Sequence, residues 1–206
     1  MSTLIRFDSS PMGERSISRK LTNNFVETWL KAHPGGKVLK RDLSALQLPV
    51  IDGFWVGAAY TPEDALTAEQ KDTLAVSDSL IAELRHADEY VFGVPMHNFG
   101  IPSTLKLWID QIVRVGKTFS YDANGPKGLL AGKKATVLIA SGGVYESGAL
   151  AAFNFAGPYL QTVFGFLGID VTIIAAEGTA QLRSGNVDAQ AFLAPTLEKV
   201  HAHASH

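Results

Sequence analysis

Three short segments hold the residues that could do chemistry. The first carries Ser9, Ser10, Ser16 and Ser18 around the start of an apolar-periodic helix, with Arg15 and Arg19 beside them. Hydroxyls and free backbone N–H groups at a helix N-terminus, aided by the helix dipole, make an anion site that fits a phosphate. The same positions equally suit plain capping by Ser16 or Ser18. The second segment is Val94-Pro95-Met96-His97-Asn98-Phe99-Gly100, directly after the apolar run Tyr90-Val91-Phe92-Gly93. Pro95 lacks an N–H and fixes φ, so it ends a strand, while Asn98 and Gly100 tolerate unusual dihedrals. Met96, His97 and Phe99 set flat or soft surfaces beside exposed amides, which suits a planar, heteroatom-rich ligand such as a flavin ring. The third is Ala140-Ser141-Gly142-Gly143, where missing side chains expose backbone amides; a simple turn after a strand is the alternative.

Other chemistries lack their residues. The 206-residue chain has no cysteine, which removes disulfides, thiolate metal sites and Cys nucleophiles and agrees with a cytoplasmic location. The segment after Asp8 is neither Gly-Lys-Ser/Thr-terminated nor G-x-G-x-x-G, which argues against a nucleotide triphosphatase or a dinucleotide-binding fold. Asp42, Asp52, Asp110 and Asp170 do not form the paired-carboxylate pattern of metal or phosphoryl-transfer sites, and Asp8 has no adjoining acid. His97 could be a general acid or a loop histidine packed on a ligand, and Met12 and Trp108 read as packing residues. No Ser-His-Asp arrangement stands out. With a net charge of −2 and no Lys/Arg cluster, a nucleic-acid partner is not expected. No apolar run reaches the roughly 20 residues of a membrane span, and Met1 to Arg6 has no signal-peptide character. The tail His201 to His206 reads as a solvated helix end rather than a metal tract.

The elements that must position these segments alternate. Strands are expected at Leu4–Phe7, Lys37–Lys40, Glu89–Val94, Ala135–Ala140 and Val171–Ala175. The helix from Ser16 to Ala32 has Ile17, Leu21, Phe25 and Trp29 on one face. Thr67-Ala68-Glu69-Gln70 is a capping box that opens a helix to Arg85, with Leu74, Ser77, Ile81 and Leu84 on one side. Further helices start at Pro102-Ser103, carry Tyr159 to Leu167, and run from Asp188 to Ala202. Residues 43–66 read as a long connection, and 118–133 as a Gly/Pro-containing excursion. Five alternations predict one α/β domain over residues 1–206: a doubly wound, five-stranded parallel sheet in a three-layer sandwich. In the strand order 2-1-3-4-5 the three segments follow neighbouring strands and converge at one edge.

Taken in order, Ser9-Ser10…Ser16-Ile17-Ser18, Pro95-Met96-His97-Asn98-Phe99 and Ser141-Gly142-Gly143 resemble the FMN-binding motifs of the FMN-dependent NADH azoreductases, which are also NADH:quinone oxidoreductases. Leu48-Pro49-Val50-Ile51-Asp52-Gly53, Phe119-Ser120-Tyr121…Asn124-Gly125-Pro126-Lys127-Gly128-Leu129 and Phe164-Gly165-Phe166-Leu167-Gly168-Ile169 extend the resemblance over essentially the whole chain. It implies a flavodoxin-like homodimer with FMN near the subunit boundary, NADH or NADPH as electron donor, and a quinone or azo acceptor. Ser10 and Ser16, Ile17 and Ser18 would hold the phosphate. Met96, His97, Asn98 and Phe99 would wrap the ring, and Ala140, Ser141, Gly142 and Gly143 would close on its pyrimidine side. Tyr60, Tyr121 and Phe164 would line the substrate pocket, although Phe164 reads equally well as core. No side-chain nucleophile and no metal is implied. Two departures stand out: His97 where many members have Tyr, and Ala140-Ser141 where many have Ser-Arg.

Overall fold

Burial along the central strands decides the architecture of the computed structural model, which describes residues 2–205. In β1 (Thr3–Asp8), β3 (Glu89–Pro95) and β6 (Lys134–Ala140) nearly every residue is buried, as in strands covered on both faces. Successive side chains point to opposite faces. Leu4, Val91 and Leu138 therefore enter one core, and Ile5, Phe92 and Val137 another. With β2 (Lys37–Asp42) and β7 (Asp170–Ala176), the sheet runs β2-β1-β3-β6-β7, every pair parallel. This is the expected 2-1-3-4-5 order, the numbering displaced because β4 (Phe119–Asp122) and β5 (Gly125–Gly128) pair with each other outside it.

Helices cover both faces. On one side α1 (Ile17–Ala32) buries Leu21, Phe25 and Trp29, and α6 (Ala189–Ala204) buries Leu193 and Val200. On the other, α3 (Ala68–His86), α4 (Ser103–Ile112) and α5 (Ala156–Phe166) bring Leu84, Trp108 and Leu160 against the sheet. The Thr67 capping box is present in full, with Gln70 N–H donating to Thr67 Oγ1 at 3.2 Å and Thr67 N–H to Gln70 Oε1 at 3.0 Å. No helix among the described residues is long and apolar enough to cross a membrane.

Two segments depart from the sequence expectation. The 43–66 connection contains a helix, α2 (Gly53–Tyr60), capped by Asp52, whose Oδ1 accepts from Trp55 N–H at 2.8 Å. Phe54, Trp55, Val56, Ala58 and Ala59 make α2 apolar around its circumference, so it has no 3.6-residue stripe to detect. Trp55 and Ala58 form a small separate core with Leu74 of α3. The 118–133 excursion holds the β4–β5 hairpin, pinned to the end of α5 by Leu130 N–H on Leu167 C=O at 2.9 Å. At the tail α6 continues through His201 and His203, burying Ala204; Met1 and His206 lie outside the described residues.

The hairpin's seat leaves no room for a side chain at Gly128, where a Cβ would stand 2.1 Å from the Leu167 carbonyl carbon. Gly128→Ala is expected to destabilise the protein by about 1–3 kcal/mol through overpacking, read as a lowered urea midpoint. A wild-type midpoint would show that the hairpin can lift away freely.

Candidate functional site

The site is built on a close approach of α1 to the sheet. Asp8 ends β1 and is buried. Its Oδ1 accepts from Thr22 Oγ1 at 2.8 Å, and its Oδ2 lies 2.7 Å from Arg6 Nε and 3.8 Å from Arg19 Nη1. The Arg6 contact is an ion pair rather than a hydrogen bond, since that N–H is not aimed at an acceptor. Beside it in register stands Gly93 of β3. A Cβ there would come within 2.9 Å of Asp8 Oδ1 and Thr22 Cγ2, and 3.1 Å of Ser18 C=O. Ser9 closes the junction: its N–H and Oγ both donate to Gly93 C=O, at 3.1 and 2.9 Å.

From this anchor the serine loop opens. Ser16 caps α1, its Oγ accepting from Arg19 N–H at 3.3 Å, and lies 3.0 Å from Ser18 Oγ. Capping and wall-lining therefore coexist at Ser16. The first-turn amides of Ile17 and Ser18 have no acceptor within the helix. Arg19, which adds positive charge near this loop, is committed to the protein's own acceptors. Its guanidinium donates to Ser10 C=O at 2.7 and 3.1 Å and to Asp42 at 2.7 Å. Burial alone would raise the Asp42 carboxyl, but hydrogen bonds from Ser44 and Arg19 and the charge of Arg19 outweigh it and hold the group below its ordinary range.

The second segment is a tight hairpin. His97 and Gly100 exchange both backbone hydrogen bonds at 3.0 Å, with Asn98 at φ 48° and Phe99 at φ 71° between them. Positive φ falls on Asn98 and Phe99 rather than on Gly100, as a two-residue primed turn requires. For a bulky residue such as Phe99 this is a strained conformation, of the kind that persists at functional sites. Its C=O accepts from Phe155 N–H at 3.1 Å, and its ring packs 5.3 Å from Phe153 and 6.1 Å from Tyr145.

The third segment is stitched to the loop after β7. Thr179 N–H and Oγ1 donate to Ser141 C=O at 3.0 and 2.9 Å, Ala180 N–H to Gly142 C=O at 3.2 Å, and Gly178 N–H to Gly143 C=O at 2.9 Å. Ser141 Oγ turns inward to Gly143 C=O at 2.9 Å. The carbonyls are thus committed, which leaves the Gly142 and Gly143 amides for another acceptor.

The three segments meet in a cleft of about 560 Å³, lined by Ser10, Ser16, Ile17, Ser18, Met96, His97, Ala140 and Gly142; this volume suits a small-molecule or cofactor site. Asn98 lines a second cleft that shares His97 with the first, while Phe99, Ser141 and Gly143 belong to the segments that frame the first. Met12, expected to pack, is 48 % exposed and lines the first cleft; Trp108 is core. The β7 loop adds Thr179, Leu182 and Arg183, which the sequence reading did not single out. The signal was available, since the last strand neighbours β6 and its carboxyl end abuts the same edge. Arg15, Lys20 and Arg183 line the cleft and join none of the ion pairs among the described residues, and no carboxylate lines it. One end therefore offers hydroxyls, helix amides and cations to a phosphate, and the other offers Met96, the His97 hairpin and free glycine amides to a flat ring. These residues fit FMN.

The predicted substrate-pocket residues are not brought to this cleft. Phe164 is 1 % exposed, stacked 4.8 Å from Phe92 and edge-on to Trp108. It belongs to the core, because α5 turns that face onto the sheet. Tyr60 and Tyr121 are exposed, and Tyr60 borders a separate cavity beside Arg114 and Trp55.

A family model described as flavodoxin-like fold matches residues 2–203. The chain is 55 % identical over 202 residues to an FMN-dependent NADH:quinone oxidoreductase of Acidobacterium capsulatum, covering 97 % of this chain and 98 % of that one. It is 48 % identical over 204 residues to FMN-dependent NADH:quinone oxidoreductase 3 of Burkholderia lata, covering 98 % and 99 %. Among solved structures it is similar to an azoreductase from Bacillus anthracis str. Sterne, with a TM-score of 0.90, 31 % identity and coverage of 100 % and 99 %. It is also similar to an FMN-dependent NADH-azoreductase from Bacillus anthracis str. Ames Ancestor in complex with FMN, with a TM-score of 0.86, 29 % identity and coverage of 100 % and 98 %.

The two loop arginines should separate in their effects. Arg19→Met takes the guanidinium donor from the Ser10 carbonyl and Asp42, while Asp8 keeps Arg6 and Thr22, and is expected to cost about 1–3 kcal/mol, whereas Arg15→Ala should stay within about 0.5 kcal/mol, both read by urea unfolding. A depressed carboxyl adds stability above its ordinary range and loses it as pH falls. The wild type should therefore lose the Asp42 contribution below about pH 4, and Arg19→Met should lose less. Equal costs for the two variants would refute this division.

Proposed function

The chain belongs to the flavodoxin-like-fold family, together with its FMN-dependent NADH:quinone oxidoreductase relatives, and on that premise we propose that it is an FMN-dependent NAD(P)H oxidoreductase. In this reading it reduces quinones by two electrons and cleaves aromatic azo compounds to amines. The observation that carries the reading is the convergence of the serine loop, the His97–Gly100 hairpin and the Ala140–Gly143 loop on one cleft.

When bound, FMN supplies the hydride chemistry: it takes two electrons from a reduced nicotinamide and returns them to an acceptor. The chain's own residues bind and orient. Ser10, Ser16 and the amides of Ile17 and Ser18 hold the phosphate, with Arg15, Lys20 and Arg183 offsetting its charge. Met96, His97, Asn98 and Phe99 wrap the ring. The Gly142 and Gly143 amides stabilise negative charge on its pyrimidine side, since preorganised donors act at no reorganisation cost. With no arginine at Ser141, that recognition rests on the backbone. One cleft must serve donor and acceptor in turn, which makes the cycle ping-pong, and an azo bond needs two cycles to yield two amines.

The whole chain acts as one flavodoxin-like domain, its two helical layers and the sheet forming the three-layer sandwich, in the cytoplasm. The exposed aromatics Phe54, Tyr60, Tyr121, Phe153 and Phe155 are the kind of surface a partner covers. This supports a homodimer in which Tyr60 and Tyr121 reach a pocket shared between subunits.

Purified protein should show oxidised-flavin bands that bleach on adding NADH; a colourless protein that takes up no FMN sinks the reading. Asn98→Ala should weaken FMN binding by about tenfold, the worth of one well-placed hydrogen bond. Unchanged affinity, followed by flavin fluorescence, would remove Asn98 from the site.

A further inference from the structure

We propose that Asp42 is a positioning residue for the cofactor phosphate: acting through Arg19 on Ser10, it gives the cleft a preference for FMN over riboflavin. This rests on the oxidoreductase reading above, in which FMN is the cofactor. Asp42 ends β2, stands in register with Asp8 across the β1–β2 pair, and does not line the cofactor cleft. The turn that follows holds its carboxylate. Ser44 donates to Oδ1 from its N–H at 3.0 Å and from its Oγ at 2.6 Å. Both Asp42 oxygens accept from Arg19 Nη2 at 2.7 Å. The same Nη2 donates to Ser10 C=O at 2.7 Å and to Ser44 Oγ at 3.0 Å, while Nε donates to Ser10 C=O at 3.1 Å.

This fork ties the two sides of the serine loop together. Residues 11–15 between Ser10 and the cap of α1 are exposed, and Arg19, in the first turn of α1, reaches back across them to the Ser10 carbonyl. Two carboxylates could orient the guanidinium. Asp8 lies 3.8 Å away and already has Arg6 at 2.7 Å and Thr22 at 2.8 Å, whereas Asp42 lies at 2.7 Å. Attraction weakens with distance, and a charge-assisted hydrogen bond needs contact. Asp42 is therefore the group that sets the direction of the fork. Its side chain is 40 % exposed, and an ion pair so placed contributes little to stability. Its effect is orientation: without it the guanidinium is free to turn away from Ser10.

The tie acts on one end of the ligand. Ser10 stands with Ser16 and Ser18 at the phosphate end of the cleft. The His97–Gly100 hairpin and the Ala140–Gly143 loop, which face the ring, are held by other hydrogen bonds. Losing Asp42 therefore loosens the phosphate contacts and spares the ring contacts. Charge alone predicts the opposite sign, because removing a carboxylate from the neighbourhood of a dianion tightens the dianion's binding.

The test compares FMN and riboflavin dissociation constants on the apoprotein, followed by quenching of flavin fluorescence. The wild type should favour FMN. Asp42→Ala should raise the FMN constant about tenfold, the scale of one hydrogen bond to a charged group, and move the riboflavin constant by less than about twofold. Asp42→Asn keeps an acceptor for Arg19 and should recover part of the loss. Tighter or unchanged FMN binding in Asp42→Ala overturns the proposal. So does an equal loss for both flavins, which would make the tie structural only, or an Asp42→Asn constant no better than that of Asp42→Ala. A wild type that binds the two flavins equally overturns the proposal and leaves the oxidoreductase reading standing; a wild type that binds neither sinks both.

Discussion

The closeness of α1 to the sheet at Gly93 sets the geometry of everything above it. Asp8 Oδ1, Thr22 Cγ2 and Ser18 C=O occupy the space a side chain at Gly93 would need. Because that space is shared, the first turn of α1 sits directly over β1 and β3 and delivers its free amides to the sheet edge. The buried Asp8 is tolerable there only because Arg6, Thr22 and Arg19 surround it, as a buried charge without partners would be strongly destabilising. Arg19 then extends the same network to the Ser10 carbonyl and Asp42. Arg19 is thus a structural tie that shapes the serine loop.

The other two walls hold their shape by different means. The His97–Gly100 hairpin is closed by two backbone hydrogen bonds across a pair of left-handed residues, neither of them glycine. The Ala140–Gly143 loop is held by four donors from the loop after β7, so its carbonyls are committed and its amides are not. The first backbone is fixed by its own pair of hydrogen bonds, and the second by partners on the neighbouring loop, which leaves the Gly142 and Gly143 amides free. That is the arrangement preorganised recognition requires, reached without a rigid side-chain lattice.

The parallel sheet, its strand order and five of the six α-helices among the described residues were legible because their apolar spacing is local and strong. Leu21, Phe25 and Trp29 of α1 and Leu74, Ile81 and Leu84 of α3 read directly as buried faces. What escaped has physical reasons. Helix α2 is apolar all round and therefore aperiodic, and it is set by its Asp52 cap. The hairpin β4–β5 is short and rich in Gly and Pro, and its position comes from docking against Leu167, a contact 40 or so residues away that spacing cannot reveal. Within the site, the three motif segments were legible and Arg183 was not, since only the β6–β7 neighbourhood brings it over the cleft. Phe164 shows the converse: an aromatic in a motif-like stretch is buried once α5 turns it onto Phe92.

Local sequence rules are broken at one place, the cleft. Phe99 holds a positive φ, and Arg15, Lys20 and Arg183 gather without acidic partners in a chain whose net charge is −2. Each departure is locally unfavourable, and rules broken together in this way mark functional sites. They share one remedy. A dianionic phosphate satisfies the hydroxyls and amides and neutralises the cations, and a ring laid against the hairpin uses the strained turn. A ligand that binds only the folded state stabilises it by mass action. In the proposed reading, the terms that are unfavourable in the cleft are the ones FMN would relieve, which would couple stability to binding.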